Sequence, residues 1–162
     1  MTEKTISTVY TECSIRELPE PIRALIGAAK DMVKKSYAPY SHFHVGAALE
    51  LSDGTVLTGN NQENASYPCG TCAERSVLNY AKSNYPNLPV TKLAIAADNN
   101  GHYNTSNPLP PCGLCRQALL EAEQRQEQPI TLYLCGEEKI WVIPSAAALL
   151  PLQFDGEALN AK

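Results

Sequence analysis

The first clear rhythm in the chain begins at Pro19. Ile22, Leu25, Ile26, Ala29, Met32 and Val33 recur at three- and four-residue steps, with Lys30, Lys34 and Lys35 mostly on the other face. That spacing predicts an amphipathic helix. Ala38-Pro39 is expected to end it, because proline cannot continue a helix and restricts the residue before it. Phe43 to Leu51 then reads as a strand, Ser52-Asp53-Gly54 supplies turn chemistry, and Thr55 to Gly59 reads as the returning arm of a hairpin. Asn60 to Gly70 is a polar loop. Thr71 stands where it would cap a second helix, from about Cys72 to Ser83, with Val77, Leu78 and Ala81 as its apolar stripe. Val90 to Ala97 suits a buried strand, and Asp98 to Pro111 is a long loop rich in Asn, Gly and Pro. A third helix is predicted from near Pro111, a residue that fits a first turn, through Leu119, Leu120 and Ala122. Ile130 to Cys135 and Ile140 to Ile143 read as further strands, and Pro144 to Leu150 as a short last helix. The first dozen or so residues carry no periodicity, and residues 1–18 read as a loosely held extension.

Helix, two strands, then alternating helix and strand predict an α/β fold: a three-layer sandwich with helices on both faces of a mixed sheet of about five strands. No repeat or composition shift divides the chain, so 162 residues are read as one domain, long enough to bury roughly 68–70% of the unfolded surface. At 44% hydrophobic and 19% charged, the composition is that of a soluble globular protein. Thirteen Lys and Arg against 17 Asp and Glu leave a net charge of -4, which argues against a sequence-independent grip on nucleic acid. No apolar run approaches the roughly 18 residues that span a bilayer, so no membrane partner is expected.

Six cysteines change the picture. Met1 to Ser14 shows no apolar export segment, so the thiols are expected to stay reduced, and clustered ones read as metal-binding or catalytic. Four of them form two Cys-x-x-Cys pairs, Cys69 with Cys72 ahead of the second helix and Cys112 with Cys115 at the start of the third. Such pairs point to zinc, and two arrangements fit the spacing. Four thiolates would close a structural site, whereas three would leave a position open for chemistry. Glu74, two residues after Cys72, can face an ion without binding it and suits a general acid/base. Both helix N-termini would favour thiolates, and Arg75 and Arg116, directly after the motifs, could temper the sulfur charge. Cys13 and Cys135 read as small buried hydrophobes.

Cys72-Ala73-Glu74 with Pro111-Cys112-Gly113-Leu114-Cys115 matches the three-cysteine signature of zinc deaminases. The histidine form of the first motif is absent, since none of His42, His44 or His102 is followed two residues later by Glu. That weighs against the deoxycytidylate, tRNA-adenosine and polynucleotide-editing branches. The chain resembles instead the small homotetrameric cytidine deaminases. Pro39 to Leu49 is similar to that family's first-strand signature, Gly59 to Tyr67 to its substrate-binding loop, and Leu150 to Phe154 to its C-terminal Leu-Pro-x-x-Phe element.

The resemblance implies a cytidine deaminase-like fold and one zinc per subunit on Cys72, Cys112 and Cys115, with Glu74 as proton shuttle. It implies that Asn61 and Glu63 hold the ribose and that Phe43 packs against the base. Tyr67 and Ala73 become further substrate contacts, and Phe154 reaches a neighbouring subunit's site in a homotetramer. The implied reaction is hydrolytic deamination of cytidine, and of deoxycytidine, in cytoplasmic pyrimidine salvage. The alternatives are a deaminase of a cytosine-containing antibiotic such as blasticidin S and a non-catalytic four-cysteine zinc module. Asn61 and Glu63 favour the free nucleoside over the antibiotic. Two residues depart from the family pattern: Cys69, where a non-liganding residue is usual, and His44, where proline or a small residue is common.

Overall fold

The computed structural model describes residues 1–98 and 107–159; His102 and most of the Asp98–Pro111 loop lie outside them. Three helices, α1 (Glu20–Val33), α2 (Ala73–Asn84) and α3 (Gly113–Gln126), pack on a six-stranded sheet. The strands are β1 (Thr11–Cys13), β2 (His44–Leu51), β3 (Val56–Asn60), β4 (Val90–Asp98), β5 (Thr131–Cys135) and β6 (Ile140–Ile143). They lie in the order β1-β6-β5-β4-β2-β3, with β4 and β5 parallel and every other pair antiparallel. A parallel neighbour requires a crossover, and α3 supplies it.

Alternation along the strands decides which helix each face receives. Ala47, Leu49, Leu93 and Ile95 turn toward α2 and α3, where Val77, Leu78, Leu119 and Ala122 complete one core. Ala48, Ala94 and Ala96 turn the other way and meet Ile22, Leu25, Ile26 and Ala29 of α1. Small residues on that second face let α1 lie close to the sheet. At Gly46 the approach is so tight that a Cβ would stand 2.0 Å from the Ala29 carbonyl oxygen. On the opposite face a Cβ at Gly59 would stand 3.0 Å from the Cβ of Val77, so α2 also rides close to the hairpin.

The sheet has six strands rather than about five because part of the expected extension joins it. Thr11, Glu12 and Cys13 pair with Val142, Trp141 and Ile140. The Tyr10 ring meets Trp141 with centroids 5.1 Å apart, and the Thr8 hydroxyl donates to the Ala148 carbonyl. A three-residue edge strand is too short to show a period of two, which is why the pattern missed it. Helix α1 ends at Val33, ahead of the expected Ala38-Pro39 stop. The Ser36 hydroxyl donates back to the Val33 carbonyl, as does the Ser36 N–H, and this local bonding competes with further helix. Thr71 is not the cap of α2. Cys72 is, while Thr71 forms a short bridge with Gln62. The last predicted helix is a 3-10 turn, Ala146–Leu149.

Among the described residues no helix is long and apolar enough to cross a membrane.

Candidate active site

Cys72 and Cys112 are the N-cap residues of α2 and α3, and Cys115 lies within the first turn of α3. Two helices from different parts of the chain therefore aim their positive ends at one point, which favours thiolates there. The Sγ atoms of Cys72, Cys112 and Cys115 all lie within 4.8 Å of one another. Cys72 and Cys112 are 3.8 Å apart and Cys112 and Cys115 are 3.6 Å apart. Thiolates about 2.3 Å from a tetrahedral ion stand about 3.8 Å from each other, so this triangle fits zinc. Cys69 is exposed and lies outside the group. Three ligands without a fourth thiol describe an open zinc site rather than a closed structural one.

The triangle also shares its protons unevenly. Cys72 is brought down to about 5, chiefly because Cys115 donates to it; burial opposes this, and Cys112 and the Arg75 guanidinium add to it. Cys115 moves up, through that same bond and its burial. The Nε of Arg75 is a buried donor with no hydrogen-bond partner among the described residues, which suits a place beside charged sulfur. Arg116 behaves differently from the expectation. It spends Nε on the Pro111 carbonyl and Nη1 on the Leu149 carbonyl, at 2.8 and 3.0 Å, and so braces the loop and the 3-10 turn rather than the sulfurs.

Glu74, on the first turn of α2, is 5% exposed. Burial pushes its carboxyl up, and the charge at Cys72 acts in the same direction. A buried carboxyl whose proton affinity is raised in this way suits a general acid/base. It lines a cavity of about 850 Å³, together with Cys72, Cys112, Phe43, Asn61 and Glu63. The cavity wall is thus built from the β2 start, the loop after β3 and the two helix N-termini.

Asn61 is committed at both ends of its amide. Its Oδ1 accepts the Val45 N–H at 2.7 Å and its Nδ2 donates to the Phe43 carbonyl at 2.8 Å, which leaves one donor and one acceptor position for a ligand. Glu63 accepts the Tyr40 N–H at 2.9 Å, the Ser41 N–H at 3.3 Å and the Ser41 hydroxyl. Burial raises its carboxyl, but the Ser41 and Tyr40 donors outweigh that and hold it below the usual value. Tyr67 is exposed at the cavity wall, its ring edge-on to Tyr40 with centroids 6.1 Å apart. Ala73 and Phe154 do not line this cavity. Ala73 is fully buried under Gly59, and Phe154 is 63% exposed, with its carbonyl accepting from Gln117.

Pattern reading missed Ser41, Tyr40 and Glu123. The first two lay within the Pro39–Leu49 motif without an assigned role. Glu123 had no signal, being one of two acids on a polar helix, yet it is 7% exposed.

The site defines a zinc-dependent deaminase class, and comparison with known sequences places the chain within it. Residues 19–128 match the model of the cytidine and deoxycytidylate deaminase zinc-binding region, and the chain belongs to that family. A cytidine deaminase from Halalkalibacterium halodurans is 45% identical over 137 residues, covering 84% of this chain and 96% of the relative. One from Sporosarcina psychrophila is 40% identical over 139 residues, covering 86% and 95%. Among solved structures, cytidine deaminase from Burkholderia pseudomallei superposes with a TM-score of 0.68 at 38% identity, covering 81% of this chain and 97% of that one.

Proposed function

We propose that the protein hydrolytically deaminates cytidine, and deoxycytidine with it, to uridine or deoxyuridine and ammonia. One observation carries the reading: a buried carboxyl, Glu74, beside an open three-thiol site in the wall of a cavity of about 850 Å³, roomy enough for a nucleoside. The kinship with proteins named cytidine deaminase supports the choice of base.

Cys72, Cys112 and Cys115 would hold the zinc, which when bound would lower the pKa of a water at the site toward neutrality. Glu74 takes a proton from the attacking water and delivers it to N3 of the cytosine ring, making C4 electrophilic. It then takes the proton of the hydroxyl added at C4 and carries it to the amine, so that the C4–N bond breaks, ammonia leaves and the C4 carbonyl forms. Its burial shields this traffic from bulk water and raises its proton affinity above that of an ordinary carboxylate. Phe43 offers a face for the base, while the free positions on Asn61 and Glu63 receive ribose hydroxyls and orient C4 for attack. Arg75 tempers the sulfur charge. A ribose grip of this kind need not include the 2′-hydroxyl, which is why deoxycytidine belongs in the reading.

The reading carries a homotetramer with shared sites and a setting in cytoplasmic pyrimidine salvage. Phe154, exposed and outside its own cavity, is available to reach a neighbour's. The net charge of -4 suits a small neutral substrate, which needs no electrostatic funnel.

The test is the fall in cytidine absorbance, with and without a zinc chelator, on wild type and on E74Q. Wild type turns over and chelation stops it. E74Q remains folded and keeps one zinc per chain while losing at least about 10²-fold in kcat. An E74Q enzyme with wild-type turnover refutes the assignment of Glu74.

A further inference from the structure

The Ser41 hydroxyl stands between the two substrate contacts proposed above. It accepts the Phe43 N–H at 3.0 Å and donates to Oε1 of Glu63. The other oxygen of Glu63, Oε2, already accepts two backbone N–H groups, those of Tyr40 and Ser41. An ionised carboxylate offers about four acceptor positions. Two are filled on Oε2 and one on Oε1, so the position left open lies on the oxygen that Ser41 holds.

The turn that carries Ser41 is itself fixed. The His42 N–H donates to the Ala38 carbonyl at 3.0 Å, and His42 adopts a left-handed φ of 54°. Phe43 is gripped on both sides of its residue, its N–H by Ser41 and its carbonyl by Asn61. One hydroxyl therefore sets the ribose acceptor and the base platform in register with each other. Ser41, Phe43, Asn61 and Glu63 all line the cavity.

We propose that Ser41 is a positioning residue that aims the remaining acceptor of Glu63 at a ribose hydroxyl. The proposal rests on the nucleoside reading of this cavity. Without the hydroxyl, Oε2 stays held by two N–H donors, so the loop keeps its anchor. Oε1 then has two open positions and no fixed direction. The loss falls on substrates that present a 2′- or 3′-hydroxyl, and on binding more than on turnover.

Steady-state kinetics of wild type, S41A and S41T on cytidine and on 2′,3′-dideoxycytidine test this, each preparation having its zinc content measured. S41A raises KM for cytidine about tenfold, the scale of one hydrogen bond to a charged group, with kcat within about twofold. On dideoxycytidine, which lacks the 2′- and 3′-hydroxyls, S41A and wild type have nearly equal kcat/KM. S41T keeps a hydroxyl and recovers most of the cytidine KM. A penalty of similar size on both substrates overturns the proposal, as does one that S41T shares in full or the absence of any penalty on cytidine. If wild type with bound zinc does not deaminate cytidine, the nucleoside reading itself fails. An active wild type with an indifferent S41A removes only the role of Ser41.

Discussion

Glu123 of α3 is the most heavily bonded acid described in the structure, and replacing it with glutamine isolates what that bonding contributes. Its Oε1 accepts the Ile130 and Ala146 N–H groups at 2.6 and 2.7 Å, and its Oε2 accepts the Ala147 N–H and the Ser145 hydroxyl, both at 2.9 Å. One carboxylate thus ties α3 to the chain leading into β5 and caps the 3-10 turn Ala146–Leu149. In E123Q the amide nitrogen must replace one oxygen. Its less costly placement is at Oε2, where the Ser145 hydroxyl can rotate to accept and the Ala147 N–H loses its partner. Leaving one partly buried donor unmet costs about 1–3 kcal/mol, and the two bonds kept by Oε1 lose their charge assistance. The sum is about 2–4 kcal/mol, a large share of a typical domain stability of about 5–15 kcal/mol. For a domain of this size each kcal/mol moves Tm by about 2–4 °C, so E123Q should melt roughly 5–15 °C below wild type. Thermal unfolding followed by circular dichroism measures this. At 25 °C the variant keeps its zinc and its cytidine KM, because Glu123 bonds to the far end of α3 and not to the cavity. An E123Q protein that melts within about 2 °C of wild type refutes the energetic argument. One that melts low and also loses zinc refutes the separation of scaffold from site.

C69S retains one zinc per chain and turns over cytidine within about twofold of wild type, whereas C72S, C112S and C115S lose the metal; zinc analysis after gel filtration decides, and zinc loss in C69S would overturn the three-thiol site. A pH dependence follows from Glu12 on the edge strand. Its carboxyl accepts the Trp141 indole N–H at 3.0 Å and pairs with Lys139, and these two partners, Trp141 foremost, hold it below its ordinary value of 4.5. A pKa lower in the folded state means that the ionised form supports β1 above about pH 4.5 and that this support disappears as pH falls through the folded value. Trp141 is the chain's only tryptophan, so its emission reports the event: steady from pH 7 to 5 and shifting below that, with E12Q already shifted at pH 7. Superimposable curves for E12Q and wild type from pH 7 to 3 would contradict this account.

The periodic elements were legible in the chain itself. An apolar stripe at three- and four-residue steps and short apolar runs between turns are local facts, and α1, α2, β4, β5 and β6 appear within a few residues of where those patterns place them. The short edge strand β1 was not legible, since three residues carry no period and their partners Ile140–Val142 lie more than a hundred positions away. The early end of α1 at Val33 was hidden for a related reason: the Ser36 back-bond competes with a helix pattern that reads as continuous.

The chemistry divides along the same line. Two Cys-x-x-Cys pairs and a nearby glutamate announce zinc and a proton carrier, because ligand spacing at a helix start is written in consecutive residues. Spacing alone leaves three or four thiols equally acceptable. Only the fold brings Cys72 within 3.8 Å of Cys112 while Cys69 stays exposed outside the group, and only it sends Arg116 to backbone carbonyls rather than to sulfur. The sequence by itself thus determined which residue types could meet. Which of them do meet, and how Ser41, Glu63 and Glu123 are bonded, was decided by long-range packing, since a hydrogen bond depends on distances that the order of residues does not contain.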